Sequence, residues 1–115
     1  MAELTVFEPI GELLHVALAG SLDLEGVAAV ERRFVIQTSV RRRSTIVDVS
    51  GVSLLASIGI GMLVEAARGL SLHGKKLVLV APLPAVERVL VATHVNEILP
   101  IVRTVEEARA LLGEA

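Results

Sequence analysis

Residues 47–63 read VDVSGVSLLASIGIGML and join a strand to a helix. The β-branched aliphatic residues at 45–49 predict a strand inside a sheet, because such side chains pack well on a covered, pleated surface. The stretch 50–56 is richer in Ser and predicts a loop. A helix is predicted over 58–72, with Ser57 at its start as an ordinary N-cap.

Two glycines, Gly59 and Gly61, fall in the first turn of this helix. Glycine costs about 1 kcal/mol relative to alanine in a helix interior. The pair therefore indicates a close approach of the backbone to a neighbouring strand or to a partner. We expect packing within the domain to explain both glycines, and partner contact is the alternative.

Outward from this segment, strands alternate with helices in the order ββαβαβαβα. The first two strands predict a hairpin, and the later aliphatic strands predict parallel pairing. We therefore expect a single α/β domain over 1–115, with a mixed sheet of about four to five strands and helices mainly on one face. The predicted strands are 4–7, 13–19, 45–49, 77–81 and 99–102, and the predicted helices are 24–39, 58–72, 85–92 and 105–112.

Composition excludes several classes of protein. Hydrophobic residues make up 53% of the 115 positions, which supplies a core, whereas the net charge of −2 and the two Phe residues do not fit a nucleic-acid binder. No cysteine is present, so disulfides and thiolate chemistry are absent. The longest apolar run is too short to cross a bilayer. We expect a cytoplasmic protein in which Arg41-Arg42-Arg43 is a solvated loop or, alternatively, contacts an acidic partner.

Catalytic and metal-binding motifs are not found in the sequence. Gly59-Ile60-Gly61 is not a dinucleotide fingerprint, because Val64 stands where the third glycine is needed. His15, His73 and His94 are dispersed without metal-ligand spacing. We therefore expect no enzyme activity, no metal and no cofactor. Asp48, in the middle strand, is expected to accept hydrogen bonds from amides of the following loop.

Several segments together resemble the STAS domain, the family of bacterial anti-sigma factor antagonists. In that family a strand leads into Asp-Ser-Ser-Gly-Leu-Gly, and residues 56–61 are similar, with Ser57 in the place of the phosphorylated serine. Residues 19–23 (AGSLD), 74–77 (GKKL) and 84–90 (PAVERVL) are similar to further family segments in the same order. Ala56 and Ile58 depart from the family aspartate and second hydroxyl residue.

The resemblance implies a partner switch controlled by phosphorylation of Ser57. Unphosphorylated, the protein would bind an anti-sigma factor that is also a GHKL-type serine kinase, and so release a sigma factor. The kinase would bind ATP and Mg²⁺, and a serine phosphatase would reverse the modification. Asp23 is expected either to cap the first helix or to contact the partner. The partner-binding residues implied are Asp23, Ala56, Ser57, Ile58, Gly59 and Gly61.

Two other functions remain open at this point. One is a STAS-like scaffold subunit of a stress-signalling or transport assembly, in which Ser57 is never modified. The other is a small-ligand module that uses the helix start at Ser57 as an anion site. The sequence near Ser57 supplies no basic cradle, which places the ligand module last.

Overall fold

The structure, a computed structural model, describes residues 1–113. Within this range five strands form one sheet in the order β1-β2-β3-β4-β5. The strands are Ala2–Val6 (β1), Leu14–Leu22 (β2), Thr45–Leu55 (β3), Leu77–Val80 (β4) and Ile101–Val102 (β5). The helices are Leu24–Val35 (α1), Ser57–Ser71 (α2), Pro84–Ala92 (α3) and Val105–Leu111 (α4).

The sheet is mixed, as the sequence predicts. β1 pairs antiparallel with β2 as a hairpin, and β2, β3, β4 and β5 pair in parallel. Because parallel strands end at the same edge, the helices that follow them start side by side at that edge. This edge is called the carboxyl edge below, and it holds the start of α2.

Three helices cover one face of the sheet and one covers part of the other. Val47 and Val49 of the central strand are buried against side chains of α1, α2 and α3. On the opposite face, Ile46 and Val78 belong to a smaller cluster with Ala108 of α4. The expectation of an α/β domain with helices mainly on one face is therefore confirmed.

The two central strands run further than predicted. β3 continues to Leu55, so the predicted loop over 50–56 is wrong. Its extension pairs with the end of β2, where Leu22 lies opposite Leu55. Small residues permit this pairing, since a Cβ on Gly51 would lie 2.9 Å from the Cβ of Ala19. A distant partner strand, and not local composition, makes this stretch extended.

β2 continues through Gly20 to Leu22, whereas the predicted strand ended at residue 19. Gly20 lies inside the strand with φ +90° next to a register shift relative to β3. Such an irregularity bends a strand without ending it. A side chain here would meet the backbone oxygen of Met1, so glycine is needed for both conformation and space.

Other boundaries differ by a few residues. α1 ends at Val35 and continues as one π-helical turn over Ile36–Val40, in which buried Thr38 donates its hydroxyl hydrogen bond to the Phe34 carbonyl at 2.8 Å. The last strand is shorter than the predicted 99–102, because the amide of Leu99 donates to the carbonyl of Val95 in the preceding turn. The observed helix starts lie within one residue of the predicted ones.

Candidate functional site

Ser57 lies at the carboxyl edge, where the central strand passes into α2. β3 ends at Leu55, Ala56 follows, and Ser57 is the first residue of the helix. Its side chain is exposed, and its hydroxyl makes no hydrogen bond to any residue in 1–113. The predicted position and accessibility of Ser57 are therefore confirmed.

The sequence analysis expected Ser57 to be the N-cap of α2, and this expectation is wrong. Ala56 occupies that position with extended backbone, and its carbonyl accepts from the amides of Gly59 at 2.9 Å and Ile60 at 3.0 Å. The Ala56 amide donates to Leu22 O at 3.1 Å, which ties the turn to the end of β2. A methyl group cannot accept a hydrogen bond, so the helix start has no side-chain cap. The Ser57 hydroxyl is consequently free of any capping role.

The two glycines of α2 have different environments. A Cβ on Gly59 would lie 2.7 Å from the carbonyl oxygen of Leu22 and 2.9 Å from Cδ1 of Leu55. Packing within the domain therefore explains Gly59, as expected. Nothing lies within 4 Å of a Cβ placed on Gly61, which is exposed, so the packing explanation for Gly61 is wrong. Its proposed contact with a partner stays a prediction.

Asp23 caps the neighbouring helix. Its Oδ1 accepts from the Gly26 amide at 2.9 Å, which confirms the N-cap interpretation. Leu22 of β2 pairs with Leu55 of β3 at the carboxyl edge. The residues that follow them, Asp23 and Ala56, therefore lie side by side there. The starts of α1 and α2 therefore form one surface, which brings Asp23 to the same edge as Ser57.

The surface around Ser57 contains exposed apolar side chains, and the segment to which Ser57 belongs lacks positive charge. Leu24, Leu54 and Ile58 are exposed, although side chains of this type are usually buried. Residues 44–67 contain no Lys, Arg or His. The sequence analysis did not single out Leu24 or Leu54. The exposure of Leu24 carried no readable signal, since Leu24 stands three residues before Val27 and so continues the helical spacing of the buried Val27, Val30 and Phe34.

Asp48 and His15 lie elsewhere on the sheet. Asp48 Oδ1 accepts from the Ser50 amide at 2.9 Å, as expected for this residue. His15 lies near the start of β2, at the opposite edge from Ser57, with its ring 4.6 Å from that of Phe7. Burial lowers the pKa of His15, and the charge of Asp48 opposes this shift. No serine–histidine pair is formed at Ser57.

Neither a metal-binding cluster nor a membrane-spanning helix is found in the part of the chain that the structure describes. Residues 1–113 contain no cluster of three or more His, Asp or Glu side chains suited to a metal ion. The exposed His94 Nδ1 instead lies 3.1 Å from Glu97 Oε2, three residues further along the chain. None of the helices in this range is long and apolar enough to cross a bilayer.

The fold and the site together define a small α/β domain with an accessible serine at the start of its central helix. Residues 3–108 match the family model of the STAS domain, and the chain belongs to this family.

Solved structures with the same fold include both antagonists and a transporter. An anti-sigma factor antagonist from Mycobacterium paratuberculosis is 21% identical, with a TM-score of 0.84 over 97% of this chain and 96% of that one. The Bacillus cell fate determinant SpoIIAA in its phosphorylated form is 19% identical, with a TM-score of 0.69 over 94% and 97%. The murine Solute Carrier 26 member A9 anion transporter is 18% identical, with a TM-score of 0.76, covering 92% of this chain and 18% of that one.

Proposed function

We propose that the protein is an anti-sigma factor antagonist whose partner binding is controlled by phosphorylation of Ser57. The observation that carries this proposal is the exposed, unbonded hydroxyl of Ser57 at the first position of α2. A kinase needs such a hydroxyl, and a hydroxyl committed to capping would have to break its bond first. The matching family model and the antagonists with this fold support the assignment.

The apolar surface around Ser57 suits a partner whose binding is weakened when Ser57 gains a negatively charged phosphate. Exposed Leu24, Leu54 and Ile58 supply apolar contact area at the same edge. Phosphorylation adds about −1.5 to −2 charges at pH 7. The segment 44–67 supplies no cation to offset this charge in the free protein, whereas the amides at the start of α2 do favour it. In an interface the phosphate would lose water without gaining a counter-charge, which weakens binding.

The partner in this proposal is an anti-sigma factor that is also a GHKL-type serine kinase. The kinase binds ATP and Mg²⁺, so the chain itself needs no cofactor and has no catalytic activity. Binding of the unphosphorylated chain frees a sigma factor in the cytoplasm, and a serine phosphatase resets the switch. Asp23, Ala56, Ile58 and Gly61 surround Ser57 in the proposed contact surface, whereas Gly59, expected there from the sequence, is buried against Leu22.

The test is a phosphorylation assay followed by a binding titration. Incubation with the anti-sigma kinase and ATP adds one phosphate, located by mass spectrometry at Ser57. Ser57→Ala abolishes modification but retains binding, whereas Ser53→Ala, at an exposed serine in the adjoining part of β3, changes neither. The phosphoprotein binds at least about tenfold more weakly, which corresponds to about 1.4 kcal/mol.

Equal affinity of the phosphorylated and unphosphorylated chains for the kinase would contradict the switch. Modification at Ser53 instead of Ser57 would contradict the site. The same titration first measures whether the unphosphorylated chain binds the anti-sigma factor, and an absence of binding would contradict the antagonist role.

One observation favours a second function, an unmodified scaffold subunit. Ala56 and Ile58 supply neither the acidic side chain nor the second hydroxyl of the family segment. Ala56→Asp restores the acidic group and should speed phosphorylation of Ser57 if the kinase recognises it. An absence of phosphorylation in both proteins, together with tight binding to a membrane-transport or signalling component, would favour the scaffold.

A further inference from the structure

Two loops form a basic surface at the edge of the sheet opposite Ser57. One contains Arg41, Arg42 and Arg43 before β3, and the other contains Lys75 and Lys76 before β4. Because these strands are parallel neighbours, with Thr45 opposite Leu77, the two loops lie side by side. The Lys76 amide donates to Ser44 Oγ at 3.1 Å, which joins them directly. These five residues are called the basic pole.

The basic pole concentrates positive charge on a chain whose net charge is −2. It holds five of the eleven Lys and Arg residues. None of the five has an ion pair or a side-chain hydrogen bond with residues 1–113. Among the described residues, Glu12 lines the same cleft as Arg41 and Lys75, and Glu97 lines a cleft beside Lys75 and Lys76. Two carboxylates do not balance five cations. The fold therefore leaves this charge available to an external anion.

An exposed aliphatic residue also lies shortly before each group of basic residues. Val40 precedes the arginines and is 64% exposed, and Leu72 precedes the lysines and is 84% exposed. Aliphatic residues flanked by cations favour the boundary between lipid headgroups and acyl chains, where the cations remain at the headgroups. Protein–protein interfaces are enriched in arginine and depleted in lysine, so the cation types in the pole do not decide between the two kinds of partner, and the exposed aliphatic residues do. The combination therefore favours a lipid surface over an acidic protein.

We propose that the basic pole adsorbs the domain onto an anionic bilayer surface without spanning it. α2 separates the pole from Ser57 by about 22 Å, at 1.5 Å per residue over its 15 residues. A membrane bound at the pole therefore leaves Ser57 facing away from the lipid. Adsorption and partner binding use opposite ends of the molecule and are compatible with each other.

The test is flotation of the full chain with vesicles. Phosphatidylcholine vesicles containing phosphatidylglycerol carry the protein at low salt, whereas pure phosphatidylcholine vesicles do not. Raising the salt concentration weakens binding because it screens the headgroup charge. Lys75→Gln/Lys76→Gln lowers the partition coefficient about 25-fold, at about fivefold per cation.

Two further variants separate charge from apolar contact. Arg32→Gln/Arg88→Gln removes the same charge from exposed positions on α1 and α3 and changes partitioning less than about twofold if the pole is the contact. Val40→Ser/Leu72→Ser keeps every charge and lowers partitioning through lost apolar contact. Circular dichroism checks that each variant is folded.

Three results would overturn the proposal. They are absence of flotation with anionic vesicles, equal flotation with neutral vesicles, and equal losses in the pole and control variants. Retention on an acidic polypeptide without vesicle binding would assign the pole to an acidic protein instead. The Ser57 phosphorylation assay is unaffected by the pole variants, so failure here is distinguishable from failure of the proposed switch.

Discussion

Ala56 leaves the start of the central helix without a side-chain cap, and this predicts a stabilising substitution. In Ala56→Asp the new carboxylate accepts from a free amide in the first turn of α2 and places negative charge at the helix N-terminus. We expect the free energy of unfolding to rise by about 1 kcal/mol. Urea denaturation measures this free energy. Asp23→Ala removes the existing cap of α1 and should lower the free energy of unfolding by a similar amount.

His15 predicts how stability depends on pH. Burial lowers its pKa in the folded protein below the ordinary 6.5, and its Nε2 is buried without a hydrogen-bond partner in residues 1–113. The unfolded chain therefore binds more protons as the pH falls through about 6.5, and linkage makes the folded state less stable there. Stability should decline from pH 7 towards the lowered folded pKa.

Denaturation midpoints across that pH range test this dependence in paired variants. His15→Leu should flatten the decline, whereas His73→Gln, at an exposed position, should leave it in place. A decline of the same size in His15→Leu would assign the effect to other groups.

At the scale of the element, α2 contains a matched pair of glycines. Gly59→Ala puts a Cβ 2.7 Å from the carbonyl oxygen of Leu22, a backbone atom that cannot move cheaply. We expect it to lower the free energy of unfolding by about 1–3 kcal/mol, as overpacking does. Gly61→Ala meets open space and should raise it by up to about 1 kcal/mol, through helix propensity alone. Thermal or urea unfolding that gave both variants the same sign would contradict this reading of the helix.

Helices and strands were predictable where the signal is local. The aliphatic strand at 45–49 and the helix after Ser57 follow from side-chain type and spacing. The extension of β3 to Leu55 was not predictable, because Ser50 and Gly51 resemble a loop and become extended only by pairing with β2. Pairing between residues distant in sequence is not encoded in composition.

Some features of the candidate site were predictable from the sequence and others were not. Its position at a helix start followed from the sequence, and its exposure is confirmed. The identity of the N-cap was not predictable, because moving a helix start by one residue exchanges the roles of Ala56 and Ser57. Exposure of Leu54 depends on where β3 ends, so the apolar surface could not be derived before the strand was known.

At the scale of the whole molecule, α2 runs between two ends of the domain, and its dipole favours negative charge at one end and positive charge at the other. Its N-terminus carries Ser57 and its last residue is Ser71, and both are exposed serines. The helix dipole favours negative charge at the first position and opposes it at the last. The same substitution at the two serines therefore separates effects on folding from effects on partner binding.

Ser57→Asp should leave folding intact and weaken the partner complex. The helix dipole offsets the new charge, so the free energy of unfolding should change by less than about 1 kcal/mol. Affinity for the anti-sigma kinase should fall, by less than phosphate causes because aspartate carries less charge. Ser71→Asp should show the reverse, a loss of about 0.3–1 kcal/mol in stability with unchanged affinity. Urea unfolding and a binding titration on both variants measure this. A Ser57→Asp protein that bound weakly only because it had unfolded would remove the support for a switch acting at the surface, since the switch requires both states of Ser57 to share one fold.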